Sequence, residues 1–120
     1  MATKAYTDLE QSKKLAKILP LESADCFWDY DDLQKYHRIS WFEEGYDKDS
    51  QLRTNENNVC AWSLTALLGV VSEDVSLNSF KNGVWIAMVQ HNGKMIYRDT
   101  HNPVDACYKL ILNLHERNLL

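Results

Sequence analysis

The sequence predicts an α+β fold: a small antiparallel sheet with a hairpin over 84–99, packed by N-terminal, middle and C-terminal helices. Three observations predict it. Residues 102–120 carry the start signals and apolar spacing of an amphipathic helix. Residues 7–20 carry those of a second. Between them, Asn92-Gly93 separates two short apolar runs, the preferred pair for a two-residue type I′ turn. The chain of 120 residues, 45% apolar, has the length of one domain and enough material for a core.

The first helix opens at Thr7-Asp8-Leu9-Glu10, which reads as a capping box between Thr7 and Glu10. Leu9, Ser12, Leu15, Ala16 and Leu19 form its inner stripe, and Pro20 stops it. Cys26 to Tyr30 and Tyr36 to Phe42 have the aromatic content of short strands. Asp29 to Asp32 form an acidic link between them. These segments are candidates to extend the hairpin's sheet, because a lone hairpin is marginal in water. Glu43 to Asn58 is polar and aperiodic, and reads as a long exposed loop. Cys60 to Val71 has helical spacing: Trp62 with Ala66, and Leu64 with Leu67, Leu68 and Val71.

The hairpin register follows from its turn. Val89 faces Ile96 and Ala87 faces Arg98 on one side; Gln90 faces Met95 and Met88 faces Tyr97 on the other. Both faces carry apolar side chains. In the last helix Asn102 caps, Pro103 takes the first position, and Asp105 puts negative charge in the first turn. Val104, Cys107, Tyr108, Ile111 and Leu114 make its apolar face.

Three blocks carry a resemblance. They are Tyr6-Thr7-Asp8-Leu9-Glu10-Gln11-Ser12 through Pro20 to Asp25, then Cys60-Ala61-Trp62-Ser63-Leu64-Thr65-Ala66-Leu67-Leu68, then Asn102-Pro103-Val104-Asp105-Ala106-Cys107 running on to Leu119-Leu120. Together they resemble a family of short uncharacterised proteins from gut-bacterial genomes, phages and mobile elements. The resemblance covers about half the chain. It implies an α+β fold and a phage or mobile-element origin, and it implies no activity.

Charge narrows the functions. The net charge is −4, and between Asp25 and Glu56 nine acidic residues face four basic ones. A long nucleic acid needs a basic face, so none is expected as a partner. No run approaches the roughly 20 apolar residues of a membrane span. The N-terminus lacks the apolar centre of a signal peptide. The expected setting is the cytoplasm of a bacterial host. An odd number of widely spaced cysteines, Cys26, Cys60 and Cys107, fits reduced thiols.

Chemistry-bearing patterns are sparse. The histidines and cysteines show no C-x-x-C or H-x₃-H spacing, so no metal and no cofactor are expected. Asp47-Lys48-Asp49-Ser50-Gln51 opens like a calcium loop, but Leu52 stands where glycine is required. Cys60, His101 and Asp99 could form a thiol triad, with Cys60 near a helix N-terminus that would lower its pKa. No phosphate-binding glycine pattern occurs. The functional material is aromatic and basic. Trp28, Tyr36, Trp41 and Tyr46 are candidate stacking residues, with Arg38, Arg53 and Arg98 as candidate anion clamps. Arg98 either pairs with an acid such as Asp99 or marks an anion site. The expected function is a non-catalytic binding protein, acting as a homo-oligomer on an unknown protein partner. The alternatives are an anti-defence sponge for a small nucleotide signal and a thiol enzyme.

Overall fold

The computed structural model describes residues 4–71 and 74–120. Residues 1–3, part of the N-terminal segment read above, lie outside them. The chain is α+β, with four α-helices and two three-stranded antiparallel sheets among the described residues. The described residues divide into two compact units, 8–63 and 4–7 with 64–120.

The first unit begins with helix α1 (Leu9–Ala16). Its cap is Asp8, one residue later than the box expected at Thr7. The Asp8 carboxylate accepts from Gln11 N at 2.8 Å, and the Gln11 side chain accepts from Asp8 N at 3.1 Å. Asp is the stronger cap, and Thr7 is fully buried instead. The helix also ends before Pro20, as the Ile18 and Leu19 N–H groups both turn back to the Leu15 carbonyl.

Strands β1 (Cys26–Asp31), β2 (Tyr36–Trp41) and β3 (Val59–Ala61) form the first sheet in the order β2-β1-β3. Asp31 closes the β1–β2 turn by accepting from Leu33 N and Gln34 N. The two aromatic segments are strands, as expected, but they pair with each other rather than with the 84–99 hairpin. The helix expected from Cys60 is replaced at its start by β3. Cys60 and Ala61 sit opposite Phe27 and Cys26, and pairing with β1 outweighs the local helical spacing. The polar stretch from Glu43 contains a short helix, α2 (Lys48–Leu52), where an unbroken loop was expected. Asp47 nucleates it by accepting from Ser50 N. The core of this unit includes Leu15, Leu19, Cys26, Phe27, Cys60 and Trp62, all buried.

The second unit holds helix α3 (Leu64–Val70), strands β4 (Val75–Ser79), β5 (Trp85–His91) and β6 (Lys94–Thr100), and helix α4 (Pro103–Glu116). The sheet order is β4-β5-β6, so the hairpin gains its third strand from a segment the sequence left unassigned. The hairpin register is the expected one, with Ala87 opposite Arg98 and Met88 opposite Tyr97. Asn92 and Gly93 both have positive φ, 51° and 76°, as a type I′ turn requires. Helix α4 packs on β5, β6 and α3. Asn102 caps it, accepting from Asp105 N at 2.8 Å, and Pro103 is its first residue. Val104, Cys107, Leu110, Ile111 and Leu114 form its buried face.

A candidate binding groove in the first unit

A concavity lies in residues 8–63. It has a volume of about 700 Å³ and is lined by Phe27, Ser40, Trp41, Glu43, Gly45, Tyr46, Asp47, Ser50, Gln51 and Thr54. That volume is within the range of ligand pockets, roughly 300–1,000 Å³. Two strands and one loop build it. Phe27 and Ser40 are opposite one another on β1 and β2, so they share a sheet face. Trp41 ends β2, and residues 43–54 form the remaining wall.

Side-chain clamps hold that wall. Gln51 Oε1 accepts from Glu43 N at 2.8 Å, and Gln51 Nε2 donates to the carbonyls of Glu43 and Tyr46, both at 3.2 Å. Gly45 supplies a φ of +84°, a conformation that strains any L residue. Lys48 Nζ donates to the carbonyls of Glu22 at 2.9 Å and Ala24 at 2.5 Å, and lies 5.6 Å from the Phe42 ring centroid. The Phe42 ring is in turn 4.9 Å from that of Phe27. The segment is therefore tied to itself through Gln51, to the chain just before β1 through Lys48, and to β1 through the Phe42–Phe27 ring contact.

The seven candidate residues scatter. Trp41 and Tyr46 meet in the groove lining, 54% and 69% exposed. Tyr36 and Arg38 are exposed on β2 outside the lining. Trp28 is half-buried and shares the opposite sheet face with Ile39. Arg53 is bound to Asp49 at 2.7 Å, and that bond raises the guanidinium pKa above its ordinary value. Arg98 belongs to the other unit. It forms no ion pair with Asp99; its Nη1 donates to the Tyr97 carbonyl at 2.7 Å. Within the first unit, Arg38 stands outside the lining and Arg53 is engaged by Asp49, so neither joins Trp41 and Tyr46 in the groove.

Sequence reasoning missed Glu43, Ser40, Gln51 and Thr54 as lining residues. The usable signal was Asp47-Lys48-Asp49-Ser50, a helix start that read only as a failed calcium loop. Among the described residues, no three of His, Cys, Asp and Glu are placed to hold a metal ion.

The thiols are all free and buried. Cys60 lies on β3 rather than at a helix N-terminus, and burial pushes its pKa up to about 11, the reverse of the expected lowering. Burial likewise pushes Cys107 up to about 11. Cys26 is raised further, by burial first and by the neighbouring Asp25 charge second. Asp25 itself accepts from Ser63 N at 2.9 Å and from the Ser63 hydroxyl. Cys60 lies in one unit, and Asp99 and His101 lie in the other.

Comparison of the chain with protein-family models, curated proteins and solved structures gives no match. Among the described residues, no helix is long and apolar enough to cross a membrane.

Proposed function

We propose that this chain is a non-catalytic binding protein of a phage or mobile element, and that its first unit receives the partner in the Trp41–Tyr46 groove. One observation carries the reading: two large aromatics remain more than half exposed while lining a groove whose backbone is clamped. Preorganised aromatic surface lowers the ordering cost of binding. The raised, buried thiols weigh against the thiol-enzyme alternative, since the thiolate is the nucleophile.

The groove's charge favours this reading over the nucleotide sponge. No basic residue lines it, whereas Glu43 and Asp47 do. A phosphate would meet carboxylates there, and Arg53 is already engaged by Asp49.

The test is affinity capture from host lysate by the wild type and by a Trp41→Ala, Tyr46→Ala double variant shown to be folded by circular dichroism. A species retained by the wild type alone supports the reading. A species retained equally by both moves binding off the groove. Native mass spectrometry of the fresh protein adds a check for co-purified ligand.

A homo-oligomer is proposed on a separate observation. On the second sheet, Met88 and Tyr97 pair across β5 and β6, and Tyr97 and Met95 are exposed. Light scattering on a Tyr97→Lys variant checks it; a mass identical to that of the wild type counts against this face.

A further inference from the structure

The segment from Phe42 to Asn58 has two basic residues, Lys48 and Arg53, and both are already bound. Lys48 is held by two backbone carbonyls, and Arg53 is held by Asp49. The Glu43 carboxylate, by contrast, meets no hydrogen bond or ion pair among the described residues. Neither do the Ser40 hydroxyl, the Tyr46 hydroxyl or the Trp41 indole N–H. The groove lining therefore includes a carboxylate with no hydrogen-bond or ion-pair partner among the described residues and two exposed aromatic residues, together with polar groups of both senses.

That combination is selective. Trp and Tyr faces attract a cation through the ring quadrupole, and a carboxylate adds a direct charge partner. An anion gains from neither. The groove is also open and is bordered by Ser40 and Trp41 of β2, an outer strand of its sheet. An enclosed pocket would suit a free small molecule, which needs most of its surface covered. An open groove beside an edge strand suits a stretch of extended chain.

Resting on the reading of the groove as the partner site, the geometry points to a basic side chain, arginine or lysine, on an extended segment of a partner protein. Trp41 and Tyr46 pack against its stem and charged head, and Glu43 receives the charge. Long basic side chains suit such a site, because their aliphatic stems cover apolar surface while the head stays polar.

The experiment uses the full chain and a hexapeptide library with one position fixed in turn as Arg, Lys, Gln, Leu or Glu. Binding is read as Kd and as movement of the Trp41 indole N–H resonance. That resonance is assigned as the one of four tryptophan signals missing in Trp41→Phe. Peptides with fixed Arg or Lys are expected to bind about tenfold or more tightly than their Gln counterparts. They should shift the Trp41 resonance and lose that preference in Glu43→Gln. Equal or better binding of Gln or Glu peptides overturns the inference. So does a basic preference that survives Glu43→Gln, and so does arginine amide binding as tightly as the peptides.

A parallel panel of nucleotides and neutral oligosaccharides separates the two readings. If one of these moves the Trp41 resonance and the peptides do not, the groove remains a binding site and the basic segment is wrong. If nothing moves it, both readings fall.

Discussion

Gln51 holds Glu43 by both of its backbone polar groups, accepting from the N–H at 2.8 Å and donating to the carbonyl at 3.2 Å. The same amide donates to the Tyr46 carbonyl. One side chain on α2 thus mimics a strand partner for the chain leaving β2, and sets the path on which Glu43 and Tyr46 stand. The Asp47 cap, the Lys48 contacts and the Phe42–Phe27 ring contact order the segment beside it, but none of them holds the Glu43 backbone.

Replacing Gln51 by Ala should loosen this wall. The bonds are solvent-accessible, so the loss in global stability is small, on the order of 1 kcal/mol. The local effect is larger. Amide exchange of Glu43 should accelerate by at least an order of magnitude, while amides in β1 and β2 keep their rates. Unchanged Glu43 exchange would show that the clamp is dispensable. Urea midpoints measured in parallel separate the local effect from the global one.

The two tryptophans nearest to this question make a direct contrast. Trp41 is 54% exposed, whereas Trp62 is fully buried and donates from Nε1 to the Ser23 hydroxyl at 3.0 Å. Trp62→Ala should cost about 3–5 kcal/mol, through lost burial and a cavity. Trp41→Ala should cost less, about 1–2 kcal/mol, as a side chain that is 54% exposed has only about half of its burial to lose. Chemical denaturation of both variants reads the difference. If Trp41→Ala proves as damaging as Trp62→Ala, Trp41 serves the fold and the groove loses its main evidence.

The sequence made the ends of the chain legible because their signals are local. Asn102, Pro103 and Asp105 occupy the cap, first and third helical positions, and Asn92-Gly93 dictates a turn whatever surrounds it. Cys60 and Ala61 were misread because their state depends on β1, more than thirty residues earlier. Val75 and Leu77 alternate with Ser76 and Asn78, but that is too short a pattern to declare β4 without β5 beside it. The groove was half legible. Trp41 and Tyr46 stood out as aromatics in an acidic stretch. The neutralisation of Arg53 by Asp49 is a fact of the folded chain, and no spacing rule told it apart from a free clamp.

The cap on the last helix should be measurable by itself. Asn102 accepts from Asp105 N, and its amide donates to the Asp105 carboxylate at 2.6 Å. Lys4 Nζ meets the other oxygen of that carboxylate, also at 2.6 Å. Asn102→Ala should cost about 1 kcal/mol, and Asn102→Asp less, since aspartate caps as well. The aspartate variant gains repulsion from Asp105, which keeps it below the wild type. Thermal melts that rank Asn102→Asp below Asn102→Ala would show that this repulsion outweighs the cap.

The cysteines predict a pH dependence. Cys60 and Cys107 have thiol pKa values pushed up to about 11 in the folded chain by burial, and Cys26 is raised further by burial and Asp25. In the unfolded chain a thiol titrates near 8.5. Between those values the folded state keeps protons that the unfolded state has released, so fewer protons are bound on unfolding. Stability then falls as pH rises. The thiol contribution is complete below about pH 8, declines from about pH 9, and is lost as pH passes the folded values. Melting temperatures measured from pH 7 to 11 should show this decline, and a Cys60→Ala, Cys107→Ala variant should show a shallower one. The same burial predicts that Ellman's reagent at pH 8 labels none of the three thiols quickly in the native protein and all three after unfolding. A single fast thiol in the native chain would contradict the burial. If that thiol were Cys60, it would also return the thiol-nucleophile reading to consideration.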